Sequence, residues 1–213
     1  MRYQPIWHVP TKRIIGYEAT VSGKSGEHAA TLFRRHANHR AAFDRMLIEL
    51  SMREGQKLLQ EGQLLFINVH PDTLNAGQLP SCPQNVVLEI TERTRFTDHT
   101  QARIQALRDN GVQLAMDDFG KQYSNLERLL QYWFYFDVVK LDRCFVQALR
   151  QPHTQAIIEA LVAFCEKSGM MVIAEGVETQ EQQEQLAACG IVHMQGYHLG
   201  YPKRYAEYEE GVS

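Results

Sequence analysis

The 213-residue chain carries 22 Lys and Arg against 25 Asp and Glu, a formal net charge of −3, with the two signs interspersed. That balance gives no sign of a basic tail or surface for bulk nucleic acid, because binding a polyanion needs clustered cations, and it is compatible with a small phosphate ligand. A hydrophobic fraction of 44% can build a substantial core, and at this length a single barrel is an ordinary outcome. Cys82, Cys144, Cys165 and Cys189 are widely spaced, with no C-x-x-C pair and no zinc spacing with histidine, and read as reduced thiols. The opening MRYQPIWHVP has no apolar signal core and no run approaches membrane-span length, so a cytoplasmic chain without a membrane segment is expected.

Short apolar runs predict strands at 3–6, 14–21, 64–69, 86–90, 112–116, 138–141, 171–174 and 192–195. The link VPTKR between the first two is too short for a crossover helix, so they form an antiparallel hairpin. HAATLFRRH and AFDRMLIELSMREGQKLLQEG follow with helical period. DHTQARIQALRDNG closes on Gly111, HTQAIIEALVAFCEKSG on Gly169, and TQEQQEQLAACG on Gly190. Strands alternating with helices predict parallel pairing, and eight of them predict a closed α/β barrel of (β/α)8 type. No linker or repeat divides the chain, which reads as one domain over residues 1–213.

Functional side chains on such barrels collect at the carboxyl ends of the strands. Those ends are acidic here: Glu18 in IGYEAT, Asn68 in LLFIN, Glu89 in VVLEIT, Asp117 and Asp118 in LAMDD, Lys140 in VVKLD, Glu175 in VIAE and Gln195 in VHMQG. Carboxylates with an amide oxygen form a hard-oxygen set suited to Mg²⁺ or Mn²⁺. Two adjacent carboxylates repel, and a two-metal site in which Asp117 bridges the ions and Asp118 binds the second removes that repulsion. Lys140 then holds a water or stabilises developing charge. Each residue alone has a plainer reading. A strand-end acid is a solvated group or helix cap, Lys140 pairs with Asp142 at the surface, Gln195 caps a turn before Gly196, and Asn68 forms a turn before HPDTL.

The motifs in order, YQPI, GYEA, FINVHP, LEITE, DDFG with YSNLERL, VKLDRCFV, VIAEGVET and QGY, make the chain resemble the EAL domain of bacterial cyclic di-GMP phosphodiesterases over nearly its whole length. The resemblance implies a TIM-like barrel with one antiparallel strand, a homodimer, and Mg²⁺- or Mn²⁺-dependent hydrolysis of cyclic di-GMP to linear pGpG. It implies Glu18, Asn68, Glu89 and Asp117 as ligands of a first metal, and Asp117 with Asp118 at a second. It assigns Lys140 and Glu175 to water positioning and general-base work. Glu178 and Gln195 match outer positions of the site, Gln4 a position near a guanine, and Glu92 the anchor of the loop after the paired aspartates.

The chain departs from the pattern in three places. Thr20 replaces the leucine of the signature. Ser22 stands where the family usually carries a phosphate-gripping arginine, and Lys121 and Gln122 stand where a small residue and glycine usually follow DDFG. Loss of the arginine weakens substrate binding more than chemistry. Gln122 alters the loop that holds Asp118, while Lys121 offers a new phosphate contact. These changes set a second reading beside the enzyme, a cyclic di-GMP receptor without turnover. A protein-interaction module is the third, and it leaves the acids unexplained.

Overall fold

The computed structural model describes residues 1–23, 26–121 and 125–209. Eight strands close in sequence order: β1 (Arg2–His8), β2 (Arg13–Thr20), β3 (Leu64–Val69), β4 (Val86–Ile90), β5 (Gln113–Phe119), β6 (Val138–Leu141), β7 (Met171–Ala174) and β8 (His193–Met194). The short VPTKR link folds as a 3-10 turn, and β1 runs antiparallel to both β2 and β8. All other neighbouring strands pair in parallel. The amino end of β1 therefore emerges at the same mouth as the carboxyl ends of the other seven.

Helices α1 (Ala29–Arg35), α2 (Arg40–Gly55), α4 (Asp98–Asp109), α7 (Pro152–Lys167) and α8 (Gln180–Ala188) fall where the apolar period places them. Their ends follow local chemistry. Thr97 accepts from Thr100 N at the start of α4, and Thr179 with Gln182 forms a capping box on α8. Gly111, Gly169 and Gly190 stop the helices with φ of 75°, 69° and 88°, left-handed values that glycine adopts without strain.

The second helix stops at Gly55 rather than running on to Gly62. Leu58 and Leu59 prolong the apolar pattern because they still pack on the core, but they do so from a turn. Three short helices carry too few residues to show a period, α3 (Pro71–Ala76), α6 (Arg143–Gln147) and α9 (Tyr205–Glu209), and α5 (Asn125–Tyr132) follows β5.

The interior has two layers. A large apolar cluster fills the space between the strands and the surrounding helices, and a small one plugs the barrel itself: Ile6, Phe66, Val87, Ala115, Val138 and Ile173. Strand side chains alternate in direction, so the residues two positions on from this plug point inward again, one step nearer the mouth. Those residues are Asn68, Glu89, Asp117, Lys140 and Glu175, with Gln4 on the reversed strand. The apolar plug is the floor of a polar cup.

Gly16 explains how Glu18 joins this layer. A Cβ at Gly16 would lie 2.2 Å from Leu64 O, so only glycine lets β2 approach β3 closely enough to hold the register that pairs Glu18 with Phe66. Phe66 is fully buried in the plug. Phe66→Ala is expected to destabilise the protein by about 3–5 kcal/mol in urea unfolding, because the ring's neighbours come from different strands and cannot all collapse onto the void.

Candidate active site

Lys140 stands at the centre of the cup. Its side chain is 1% exposed, and Nζ lies 2.5 Å from Glu89 Oε1, 2.6 Å from Glu175 Oε1, 3.2 Å from Glu18 Oε2 and 3.6 Å from Asp117 Oδ1. Asp142, its sequence neighbour, instead caps α6 by accepting from Cys144 N at 2.9 Å. The surface-pair reading of Lys140 is therefore overturned. Asn68 donates from Nδ2 to Glu89 Oε2 at 2.6 Å and to Glu18 Oε1 at 3.3 Å, which excludes a mere turn-forming role.

Gln195 likewise points inward rather than capping a turn. Its Nε2 donates to Glu18 Oε2 at 2.6 Å and to Gln4 Oε1 at 3.0 Å, while Gln4 Nε2 donates to Gly200 O at 2.9 Å. Gln195 Oε1 is buried with no hydrogen-bond partner among the described residues, and Gln195 lines the cleft. Glu178 lines the same cleft from an exposed position at its edge.

Asp117 points inward by ordinary alternation, which would send Asp118 outward. The chain breaks that alternation. Asp118 adopts φ 55°, and the register between β5 and β6 shifts between Met116 and Phe119. A left-handed residue in a strand bulge re-aims its side chain, and aspartate is among the few non-glycine residues that tolerate it. Both carboxylates consequently line one cleft of about 600 Å³ with Gln4, Glu18, Glu175 and Gln195. A second hollow of about 830 Å³ adjoins it through Thr20, Asp117 and Asp118.

Burial raises the proton affinity of these acids. It pushes Glu89 well above the usual carboxylate range, with Lys140 opposing and Glu18 and Asp117 adding repulsion. Glu175 rises to about 8 through burial, again against Lys140, and Asp118 to about 6 through burial and the adjacent Asp117. Burial acts to discharge Lys140, but Glu175, Glu18, Glu89 and Asp117 outweigh it and hold the ammonium well above the ordinary lysine range. One buried cation thus faces an excess of carboxylates.

The donor chemistry fits a hard divalent cation. Among the described residues, one carboxylate oxygen each from Asp117, Asp118 and Glu175 lies within 4.8 Å of the others. Glu18 and Glu89 lie outside this group but share Lys140 with Glu175 and Asp117. This grouping unites Glu175 with the aspartate pair, a proximity that spacing along the chain did not reveal.

The departures also find places. Lys121 Nζ donates to Asp118 Oδ2 at 2.8 Å, so the new ammonium sits on the second aspartate. Gln122 lies outside the described residues, as does most of the loop that Glu92 is expected to anchor. Glu92 itself is buried, with Oε1 3.4 Å from Arg93 Nε. Arg128 on α5, which sequence reading passed over, donates to the carbonyls of Thr91, Glu92 and Thr94 and clamps the segment after β4. Ser22 accepts from Arg2 Nε at 3.2 Å.

A closed barrel with one reversed strand and a lysine-centred acidic mouth defines a class of metal-fitting (β/α)8 proteins. The chain belongs to the EAL domain family, whose model matches residues 1–202. It is 31% identical over 222 residues to the probable cyclic di-GMP phosphodiesterase PdeN of Escherichia coli K12, covering 94% of this chain and 42% of PdeN. The chain spans less than half the length of the first curated relatives it matches. BlrP1 of Klebsiella pneumoniae, in a manganese and cyclic di-GMP complex, superposes with a TM-score of 0.86 at 30% identity, over 96% of this chain and 56% of that one. A second BlrP1 structure, with FMN and cyclic di-GMP but no metal ions, gives 0.78 at 26% identity, over 96% and 53%. A standalone EAL protein of Vibrio cholerae O395 in its c-di-GMP-bound form gives 0.80 at 30% identity, over 96% and 92%.

The raised carboxylates predict how stability depends on pH. Glu175 and Asp118 bind protons more tightly folded, at about 8 and about 6, than at their ordinary values of 4.5 and 3.8. Their contribution is present below the ordinary values and is lost as pH rises toward the folded ones. In EDTA the thermal midpoint is expected to fall between about pH 4 and pH 8, and Mn²⁺ to raise it most at the alkaline end. A scanning-fluorimetry profile flat in pH and indifferent to Mn²⁺ would contradict this.

Proposed function

We propose that the chain is a metal-dependent phosphodiesterase that hydrolyses cyclic di-GMP to linear pGpG, as one domain over residues 1–213. The observation that carries the reading is the Lys140-centred acid cup beside the triad of Asp117, Asp118 and Glu175. The family supplies the substrate, since its matched structures hold cyclic di-GMP. Glu18, Asn68, Glu89 and Asp117 would hold a first Mg²⁺ or Mn²⁺, and Asp117 with Asp118 a second. Such ions, when bound, activate water and neutralise charge on a phosphodiester oxygen.

Around them the chain's own groups have separate tasks. Glu175 has a proton affinity near neutral pH, which suits a base that takes a proton from water. Lys140 donates hydrogen bonds from a fixed, buried position and keeps the acids from repelling one another apart. Gln4, Gln195 and Glu178 offer amide and carboxylate groups that orient a nucleotide over the cup.

A homodimer is supported by the face that α5 and the following turn leave open. Leu126, Leu130, Trp133 and Phe134 are exposed there, more apolar surface than solvent favours. Free thiols at all four cysteines suit the cytoplasm. No helix among the described residues is long and apolar enough to cross a membrane.

One observation favours the receptor reading: the Lys121 ammonium occupies Asp118, a proposed ligand of the second ion. Turnover decides between the two. Chromatography should show pGpG formed with Mn²⁺ and none from Asp117→Asn, whereas binding without product would support the receptor. Glu175→Gln is expected to lower kcat by about 10²–10⁴ with little change in KM, since a general base acts in the transition state. Lys121→Met should lower the Mn²⁺ concentration giving half-saturation by about two- to fivefold, the modest scale of a half-exposed ion pair. An unchanged Mn²⁺ titration would show that the ammonium does not compete.

A further inference from the structure

We propose that Arg2 is a substrate-binding residue that grips the phosphodiester not undergoing cleavage, an inference that rests on the cyclic di-GMP reading of the site. Topology puts it there. In an all-parallel barrel, residue 2 would lie at the face opposite the site, but reversal of β1 brings it to the mouth. Arg2 pairs with Thr20 and Gln4 with Glu18, and alternation puts Arg2 and Gln4 on the same face of the strand. Gln4 already reaches into the cup, so Arg2 stands on the rim about 6–7 Å further out.

Its guanidinium is fixed at that height from two sides. Nε donates to Ser22 Oγ and Nη1 to Pro202 O, each at 3.2 Å, which joins the end of β2 to the segment after β8. The fork retains N–H donors beyond these two bonds. No carboxylate pairs with Arg2 among the described residues. Of the cations that line the two hollows, Lys121 pairs with Asp118, Arg40 with Asp72 and Arg93 with Glu92, whereas Arg34 and Arg143 carry no ion pair among the described residues; Arg2 stands outside both linings, on the rim.

A cyclic dinucleotide carries two phosphodiesters. Ions held by the acid layer can neutralise the one being cleaved, whereas the other must rest above a mouth rich in carboxylates. Without a cation there, repulsion would oppose binding. A half-buried, pre-positioned and unpaired guanidinium meets that need, because planar N–H donors match two phosphate oxygens at once.

The test is calorimetric titration of cyclic di-GMP into the full chain in EDTA, the metal-free state in which BlrP1 holds the nucleotide. Arg2→Gln is expected to weaken binding about tenfold, the scale of one charge-assisted contact. Arg2→Lys should recover part of the loss by keeping the charge without the fork, and Ser22→Ala should remain within about twofold of the parent. Parent-like affinity for Arg2→Gln would overturn the assignment. So would a loss in Ser22→Ala as large as that in Arg2→Gln, because the clasp rather than the charge would then matter. Should Arg2→Gln fail to fold by circular dichroism, Arg2→Lys carries the test, with about threefold weaker binding expected and parent-like binding overturning it. Failure of the unaltered chain to bind the nucleotide, in EDTA or with Mn²⁺, would instead defeat the reading of the site itself and Arg2's role with it.

Discussion

A lysine ammonium buried among carboxylates is the interaction on which the site depends. Removing either sign from this arrangement leaves uncompensated charge in a place water barely reaches, so Lys140 and its acids tolerate burial only together. The arrangement is possible because the barrel beneath is closed by an apolar plug, which denies water a path from below and sets the height at which every polar group appears. The charge does not balance, however. Lys140 alone serves Glu18, Glu89, Asp117 and Glu175, and the grouping of carboxylate oxygens from Asp117, Asp118 and Glu175 suits the mouth to divalent cations.

Two irregularities complete what a regular barrel would leave undone. Reversal of the first strand sends Gln4 and Arg2 to the mouth, so the start of the chain lies beside Gln195 and Pro202 near its end. The left-handed turn at Asp118 folds the second of two neighbouring aspartates into the cleft that the first already lines. Each costs some regular pairing or backbone comfort, and each adds a polar group where the cup is otherwise one short.

The departures from the family pattern redistribute charge around this mouth. Lys121 adds a cation on Asp118, while Arg2 rests its guanidinium on the serine that stands in place of the usual arginine. The two changes have different reach. An ammonium on a proposed metal ligand bears on the ions, whereas a guanidinium on the rim bears on the nucleotide.

The eight strands, the hairpin at the start and the polar layer are legible along the chain, because β alternation is a two-residue rule that needs no knowledge of neighbours. Phe66 with Asn68, Val87 with Glu89, and Val138 with Lys140 could be read as floor and cup from the chain alone. The short helices α3 and α6 could not, being shorter than the window in which a helical period shows. The folded barrel alone shows that Lys140 meets Glu18, Glu89, Asp117 and Glu175 rather than Asp142, that Asp118 turns inward, and that Arg2 reaches Ser22 and Pro202. The physical reason is the same in each case. Barrel closure fixes which strand ends face one another across the mouth, and local periodicity carries no information about distances between residues far apart in the chain.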